Sequence, residues 1–402
     1  MLKKLFFLCL VLIQSFSFFG QSQLDKAKEI HQRVLTLDSH TDTPLMLNRN
    51  GFDFGKRNDP QKRGGRIDLP RMEEGSLDAV FFAVFVGQGP RTVEGNLNAR
   101  EKAMRIFDQV YTTMSLYPEK VEIARNVADA WRLKKEGKRA IFLGVENGYP
   151  IGKDLSMIEL LYNRGARYIT LAHTKNNDIC DSSTDTLEHN GLSGFGKEVV
   201  QEMNRLGIMV DVSHISDRAF YDVLKTTTTP VIASHSNARA VCDHPRNLTD
   251  DMLLALKKNG GVVQVCVLST YVKKQEINPD KENAINELRK QYNYFIGLND
   301  EQTQQAHDAW DEIEKKYPVE LATVSDLVDH IDYIVNTIGV DYVGIGTDFD
   351  GGGALKDCID VSQIPNITAE LFKRGYTEEE IGKIWGGNFL RVFGAVEKAR
   401  VL

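Results

Sequence analysis

Cysteines and clustered basic residues are scarce in this sequence. Only five of the 402 residues are cysteines, and none forms a CxxC pair, which excludes a zinc ribbon. The formal net charge is −7 and no run of lysine and arginine stands out, so nucleic acid is not an expected partner. A glycine fingerprint of a dinucleotide-binding fold is also missing after the first strand pattern. With 42% hydrophobic and 26% charged residues, the composition is that of an ordinary globular protein.

Long apolar runs are confined to the N-terminus. The stretch MLKKLFFLCLVLIQSFSFFGQSQ has a basic start, an apolar centre and small residues near its end. This pattern is typical of a secretory signal peptide, so we assign residues 1–20 to the signal and residues 21–402 to one domain. The alternative is a buried or anchoring helix. No later segment could span a bilayer, and we therefore expect an exported protein, periplasmic or secreted, without an integral membrane span after signal removal.

Eight short apolar stretches predict buried strands. Most are rich in β-branched residues, as expected of strands that are covered on both faces. They are residues 34–40, 78–86, 140–146, 168–173, 208–214, 231–235, 262–267 and 342–348. Helical patterns alternate with these strands, which indicates an α/β protein with a parallel sheet. Eight such strands favour a closed (β/α)8, or TIM, barrel over an open sheet.

The helical patterns carry recognisable ends. Residues 324–338 place their apolar side chains on one face, and Gly339 follows as a residue that commonly ends a helix. Another helix is predicted to begin at Thr377, where Glu380 completes a capping box. Residues 273–318 are rich in Lys, Glu, Gln and Asn, and predict a helical insertion between strands seven and eight, outside the barrel or over its mouth.

Polar side chains lie at the ends of six of the eight predicted strands. They are His40, Glu146, His173, His214, His235 and Asp348. Because the C-terminal ends of barrel strands meet at one mouth, where the active site lies, we expect these side chains to converge. Asp42 follows His40 by two residues, so on a strand both would point to the same side. Four of the nine histidines occupy such ends, more than chance would place there.

Imidazole and carboxylate groups without clustered thiolates suit zinc or a similar divalent metal. Three imidazoles and two carboxylates from this set are too many ligands for one catalytic zinc that keeps an open coordination position. They fit two metals bridged by a carboxylate. Glu146 is the candidate for the bridge. Two such ions would hold a hydroxide and polarise a carbonyl group, which suits hydrolysis near neutral pH.

Three further side chains have candidate roles in such a hydrolysis. Asp348 could take a proton from the attacking water and give it to the leaving amine; its alternative is a turn aspartate. His173 could stabilise an oxyanion, or be a core histidine. Arg246 could bind a substrate carboxylate, or pair at the surface with Asp250 or Asp251.

Seven stretches, taken together and in order, resemble the renal (membrane) dipeptidase family of zinc peptidases. They are DSHTDTP, GVENG, ITLAHTKNN, VDVSH, IASHSNARAVCDHPRNLTDD, VGIGTDFDG and GGNFLRVF. The resemblance extends through nearly all of the expected mature chain. It implies a (β/α)8 barrel with two Zn²⁺ per chain and a small dipeptide as substrate, with a D-residue accepted at the C-terminal position. Members of the family often form homodimers, although nothing in the sequence marks a dimer face.

The resemblance also implies roles for individual residues. The metal ligands would be His40 and Asp42 for one zinc, His214 and His235 for the other, and Glu146 as the bridge. The residues that contact the dipeptide would be His173, Arg246 and Tyr271, with Arg246 on its C-terminal carboxylate, and the catalytic residues would be Asp348 and His173. The alternatives are a related metal-dependent amidohydrolase acting on N-acyl amino acids or lactams, and a binding protein that keeps the barrel without catalysis. A carbohydrate-active barrel would use two carboxylates without these histidines.

Overall fold

The computed structural model describes residues 24–60, 65–276, 278–295, 298–318 and 320–401. The expected signal peptide, residues 1–20, lies outside these residues. No helix in the described part of the chain combines the length and the apolar character that a membrane span requires.

Eight parallel strands form the wall of a barrel, in the order β1-β2-β4-β5-β6-β7-β8-β9, and confirm the predicted (β/α)8 class. The strands are β1 Leu37–Thr41, β2 Ala79–Phe85, β3 Val121–Ile123, β4 Arg139–Glu146, β5 Ala166–Thr170, β6 Met209–Asp211, β7 Ile232–Ala233, β8 Val262–Val265 and β9 Val343–Ile345. The wall closes just after β9, where Asp348 donates its amide N–H to the His40 carbonyl and Asp42 donates to the Phe349 carbonyl. Each of the eight predicted segments overlaps one of these eight strands.

The short strand β3 was not predicted. It pairs with residues 139–141 at the start of β4, before β5 begins to pair with β4 at Leu143. The start of β4 would otherwise present unpaired backbone groups on that side, and β3 satisfies them. A three-residue strand leaves too short a pattern for periodicity to detect.

Helices follow most strands and cover the barrel. They are α1 (residues 24–33), α2 Leu69–Glu74, α3 Val93–Met114, α4 Val127–Glu136, α5 Ser156–Asn163, α6 Gly194–Leu206, α7 Asp217–Thr226, α8 Asp250–Asn259, α9 Ser269–Val272, α10 Pro279–Gln291, α11 Asp300–Lys316, α12 Val324–Ile338, α13 Pro365–Lys373, α14 Glu378–Gly382 and α15 Asn388–Ala399. The helix predicted over 324–338 is α12, and Gly339 is its C-cap. The capping box of Thr377 and Glu380 begins α14.

Two hydrophobic clusters separate the inside of the barrel from its outside. The inner cluster includes Phe81 of β2 and Phe142 of β4, whose rings stack with centroids 4.8 Å apart. Phe389 and Phe393 of α15 pack against these rings. The interior below the strand ends is therefore a packed core, and polar groups that line the mouth stand on a rigid base.

The predicted insertion is a pair of helices, α10 and α11, between β8 and β9, the seventh and eighth strands of the wall. Lys281 and Glu314 join the two helices through a 2.6 Å ion pair. From α11, His307 Nδ1 lies 3.4 Å from a guanidinium nitrogen of Arg49, in the segment that follows β1. Because that segment leaves the C-terminal end of β1, the insertion lies on the mouth side of the barrel.

Candidate active site

His40 and Asp42 reach the mouth because β1 contains an irregularity. Asp38 and Thr41 are three steps apart on β1, whereas their partners on β2 are two steps apart. An extra residue of this kind reverses the alternation of a strand. Leu37 belongs to the cluster inside the barrel, and after the extra residue His40 and Asp42 face the same inner side.

Glu146, the last residue of β4, lies at the centre of the site. Its Oε2 is 3.6 Å from His40 Nε2, and its Oε1 is 3.1 Å from His214 Nε2. His235 Nε2 and His173 Nε2 are 3.6 and 3.7 Å from Oε1. Four strand ends far apart in sequence thus bring four imidazoles around one carboxylate, as the sequence predicts.

Asp42 and Asp348 form a second group with His40. One ligand atom from each of the three residues lies within 4.8 Å of the others. Asp348 has a φ of 61°, an uncommon backbone conformation for a residue other than glycine. Gly351 is required beside this pair, because a Cβ there would lie 2.2 Å from Asp348 Oδ1 and 2.3 Å from Asp42 Oδ2.

Three ligand atoms in the site lack a hydrogen-bond partner within the described structure. They are His40 Nε2, Asp42 Oδ1 and Glu146 Oε2, and all three are buried. Leaving a buried polar atom unpaired costs roughly 1–3 kcal/mol, and more when the group is charged. Nitrogen and carboxylate oxygen atoms are suitable ligands for divalent zinc, so these residues fit a bound metal.

The electrostatics of the site also suit a cation. Burial lowers the pKa of His214 and His235 well below the usual range, so both rings are neutral and each has a lone pair for a metal. Burial opposes ionisation of Glu146, but the nearby imidazoles hold its pKa well below the usual range. Although burial acts in the opposite direction, Glu146 and Asp42 raise the pKa of His40 to about 10, which reflects an excess of negative charge.

Arg246 is buried beside the site rather than paired at the surface. It is 3% exposed, and it donates to the His235 carbonyl at 3.1 Å and to Ser236 Oγ at 3.4 Å. Its Nε, also buried, has no hydrogen-bond partner among the described residues. The alternative of an ion pair with Asp250 or Asp251 is wrong, since no such pair occurs in the described part of the chain.

Tyr271, which the resemblance places in contact with the dipeptide, lies against Arg246. The Arg246 guanidinium carbon is 5.3 Å from the centroid of the Tyr271 ring. Burial raises the pKa of Tyr271 to about 12, so its hydroxyl stays protonated. His244 packs on the other side of this group, with its ring 4.5 Å from that of Tyr271, and its Nδ1 accepts the Arg246 amide N–H.

His173 is the most accessible of the four imidazoles. Its side chain is 22% exposed, whereas those of His40, His214 and His235 are 0, 6 and 1% exposed. The edge of the Phe85 ring contacts it, with centroids 4.7 Å apart. The accessible position leaves His173 able to contact a bound molecule, and it argues against a core histidine.

Sequence reasoning missed a second layer of polar residues behind the imidazoles. The Tyr168 hydroxyl lies 2.8 Å from His40 Nδ1, and Ser234 Oγ lies 2.8 Å from His235 Nδ1. Ser234 in turn donates to Asp211 Oδ2 at 2.6 Å. The signal that could have revealed this layer is Asp211 itself, a charged residue inside an apolar strand pattern.

A closed parallel barrel with imidazoles, carboxylates and unpaired ligand atoms at its C-terminal mouth defines a metal-dependent barrel enzyme. The profile of the family described as Membrane dipeptidase (Peptidase family M19) matches residues 24–401. The chain belongs to this family, which makes it a metal-dependent hydrolase of the dipeptidase type.

Individual relatives agree with this assignment. Dipeptidase tcpJ of Claviceps purpurea is 33% identical over 369 residues, covering 90% of this chain and 76% of the relative. Dipeptidase 3 of Mus musculus is 33% identical over 375 residues, covering 90% and 65%. The crystal structure of the probable dipeptidase PvdM from Pseudomonas aeruginosa is 32% identical, with a TM-score of 0.81 and coverage of 94% and 99%.

A more distant structure shows the same fold. It is a metallo peptidase from Rhodobacter sphaeroides, liganded with a phosphinate mimic of the dipeptide L-Ala-D-Ala. The TM-score is 0.71 at 23% identity, over 90% of this chain and 99% of that one.

Proposed function

We propose that this protein is a zinc dipeptidase that cleaves dipeptides to free amino acids and tolerates a D-residue at the C-terminal position. Two zinc ions would be held by His40, Asp42, Glu146, His214 and His235. The observation that carries the proposal is the arrangement of ligand atoms around the two oxygens of Glu146.

Each oxygen of Glu146 faces a different set of ligands. Oε2 faces His40, with Asp42 just after the end of β1, whereas Oε1 faces His214, His235 and the more accessible His173. A carboxylate that bridges two ions needs this division. Two bound zinc ions would lower the pKa of a water molecule and polarise the carbonyl of the scissile bond.

Asp348 is the proposed proton carrier. Burial raises its pKa to about 7, so near neutral pH the carboxyl group can both accept and release a proton. Its oxygens would take the proton of the attacking water and deliver it to the departing amine. His173, exposed at the mouth beside Glu146, would donate its N–H to the carbonyl oxygen as negative charge develops there.

Arg246 is the proposed anchor of the substrate's C-terminal carboxylate. The residue is buried, its Nε has no described hydrogen-bond partner, and its guanidinium is fixed by the His235 carbonyl and packed against Tyr271. A charge-assisted contact at this place selects molecules whose carboxylate lies one residue beyond the scissile bond. Longer peptides would put an uncharged amide there.

The second candidate is an amidohydrolase that acts on N-acyl amino acids or lactams. Arg246 favours it equally, because these compounds can present the same carboxylate. N-acyl amino acids differ from dipeptides in lacking a free amine on the acyl side, and lactams differ in holding the scissile amide in a ring.

Both candidates are tested by one rate panel. It would contain dipeptides with L- and D-residues at the second position, their C-terminal amides, N-acyl amino acids and lactams, each with chelated protein and with zinc restored. We expect zinc-restored cleavage of free dipeptides, including some with a D-residue, and little cleavage of the amides. Faster cleavage of acyl amino acids or lactams would replace the dipeptidase proposal, and cleavage unaffected by chelation would contradict both candidates.

We also propose that residues 1–20 direct export and that residues 21–402 form the mature domain. The proposal rests on the charge and hydropathy pattern of the N-terminus. Mass measurement of the protein secreted to the periplasm or medium should give a new N-terminus between Ser17 and Ser22. An intact N-terminus on the exported protein, or retention in the cytoplasm, would contradict it.

A further inference from the structure

The imidazoles of the site differ in what holds their second ring nitrogen. His235 Nδ1 lies 2.8 Å from the Ser234 hydroxyl, and His40 Nδ1 lies 2.8 Å from the Tyr168 hydroxyl. His214 Nδ1 is buried without a hydrogen-bond partner in the described structure. Two of the proposed metal ligands are therefore held by separate hydroxyl groups.

The hydrogen bonds of Ser234 determine which nitrogen of His235 carries the proton. Asp211, which is fully buried, accepts the Ser234 hydroxyl at 2.6 Å and the Thr170 hydroxyl at 2.5 Å. It also accepts the amide N–H groups of Ser213 and Ser234. A serine hydroxyl has one proton, and Asp211 receives it, so toward His235 the Ser234 oxygen can only accept. His235 must then carry its proton on Nδ1, which leaves the lone pair on Nε2, the atom that lies 2.8 Å from His214 Nε2 and 3.6 Å from Glu146 Oε1.

Tyr168 reaches His40 because Gly144 leaves room for its ring. The two residues are partners on the adjacent strands β5 and β4, and a Cβ on Gly144 would lie 2.1 Å from the Tyr168 ring. The ring also stacks on Phe81 inside the barrel, with centroids 5.3 Å apart.

We propose that Ser234, backed by Asp211, and Tyr168 are positioning residues, each of which holds the metal-binding tautomer and orientation of one histidine. Ser234 would act on the ion bound by His235, and Tyr168 on the ion bound by His40. Partners of this kind typically change metal affinity by roughly 10- to 100-fold when removed. The inference rests on the proposed two-metal site.

The test is a titration of the chelated protein with Zn²⁺ in competition with a chromophoric chelator, repeated with Co²⁺ to record the absorption of each bound ion. We expect Ser234→Ala to weaken one of the two binding steps and Tyr168→Phe the other, each by about 10- to 100-fold. The double variant should weaken both steps. Ser234→Thr, which keeps the hydroxyl, should restore the affinity.

Two variants serve as matched controls. Ser39→Ala removes a buried hydroxyl that donates to the Ser234 carbonyl at 2.7 Å. Tyr149→Phe removes a buried phenolic hydroxyl that donates to the Pro90 carbonyl at 2.6 Å. Both should leave the two zinc affinities within about threefold of the original and the cobalt spectra unchanged, because neither hydroxyl holds an imidazole.

The outcomes separate this inference from the proposed function. Normal affinities in both Ser234→Ala and Tyr168→Phe, or equal losses in the controls, would overturn the inference while dipeptide cleavage by the original protein would still stand. Weakening of the same step by both variants would also overturn it, as would failure of the original protein to bind two ions. If each variant weakens only its own zinc-binding step, but the original protein cleaves no dipeptide, the positioning roles would be supported and only the proposed function would be refuted.

Discussion

Asp348 combines a raised pKa, burial and an uncommon backbone conformation at the edge of the site. Such a residue persists because its surroundings hold it: its amide donates to the His40 carbonyl, and its carbonyl accepts from Gly353. The carboxyl group stands within reach of the ligand atoms of His40 and Asp42. Its charge therefore matters to any molecule bound at the mouth.

Asp348→Asn should keep both metals and lose most of the turnover. The amide has nearly the same shape but cannot carry a proton, and general acid–base groups contribute about 10²- to 10⁴-fold to rates. The measurement is kcat together with zinc content. Asp357→Asn, an exposed change in the same β9–α13 segment, should leave kcat unchanged. Near-normal turnover in Asp348→Asn would contradict the assignment.

Arg246→Ala should raise KM by roughly 10- to 100-fold while zinc content stays the same, because a charge-assisted contact contributes about 1.5–3 kcal/mol. The measurement compares a dipeptide with its C-terminal amide. The amide should bind poorly to the original enzyme, and the variant should no longer distinguish the two. Arg132→Ala, which breaks an exposed pair with Glu122, is the control. Loss of zinc with an unchanged KM would refute the role of Arg246.

At the residue scale, the proposed metal ligands can be predicted from the sequence, but the hydroxyl groups behind them cannot. Charged and imidazole residues at strand ends stand out because those positions otherwise hold apolar residues. Ser234 and Tyr168 have no such contrast, since a serine or tyrosine fits a buried strand without a special role. Their contribution depends on which ring each hydroxyl faces, and only the packed barrel determines that.

Gly351, in the loop after β9, lies against the carboxylates of Asp42 and Asp348. Gly351→Ala would add a methyl group within 2.3 Å of oxygens on Asp42 and Asp348, so one or both must move. A misplacement of about 1 Å can cost about 100-fold in rate, and we expect a loss of that size in kcat/KM. Gly194→Ala, at a glycine with open space around it, should have little effect. Equal activity of the two variants would contradict the packing argument.

Helix α1 is attached to the barrel through a buried histidine. His31 Nε2 donates to the Gly75 carbonyl at 2.8 Å, and the Thr368 hydroxyl donates to Nδ1 at 2.6 Å. Trp385 in turn donates its indole N–H to Thr368 at 2.7 Å. Burial lowers the pKa of His31 to about 4, so the folded protein keeps this ring neutral in mild acid.

This attachment should make stability fall in mild acid. As the pH drops through about 6.5 the unfolded imidazole binds a proton, whereas the folded one does not until about pH 4, so proton binding favours unfolding over that range. Between pH 7.5 and 5 the loss from His31 should be about 2 kcal/mol. The amide of His31→Gln can make both hydrogen bonds but does not titrate. Over the same pH range, the free energy of unfolding of this variant, measured with urea, should fall by about 2 kcal/mol less than that of the original protein. The same pH dependence in both proteins would contradict the role.

At the element scale, sequence patterns located the eight wall strands, the bounds of α12 and the start of α14. It could not find β3, which is too short to show a period. Nor could it find the extra residue in β1, because pairing with β2 creates that irregularity. The spacing of His40 and Asp42 predicted that they share a side, and the extra residue makes that side the inner one.

The whole molecule concentrates carboxyl groups in its mouth. Asp42, Glu146 and Asp348 are all buried there, being 7, 2 and 7% exposed. Burial and the neighbouring Glu146 raise the pKa of Asp42 well above its usual range, which means that the group resists ionisation when no cation is bound. The barrel, whose interior is closed below by α15, holds these groups together at an energetic cost that bound divalent cations would relieve.

The most direct measurement is zinc per chain, determined at the same limiting free zinc concentration for the original protein and Glu146→Gln. We expect two zinc ions in the original protein and at most one in the variant, because the neutral amide cannot bridge two cations. One ion or none in the original protein, or two retained by Glu146→Gln, would contradict it.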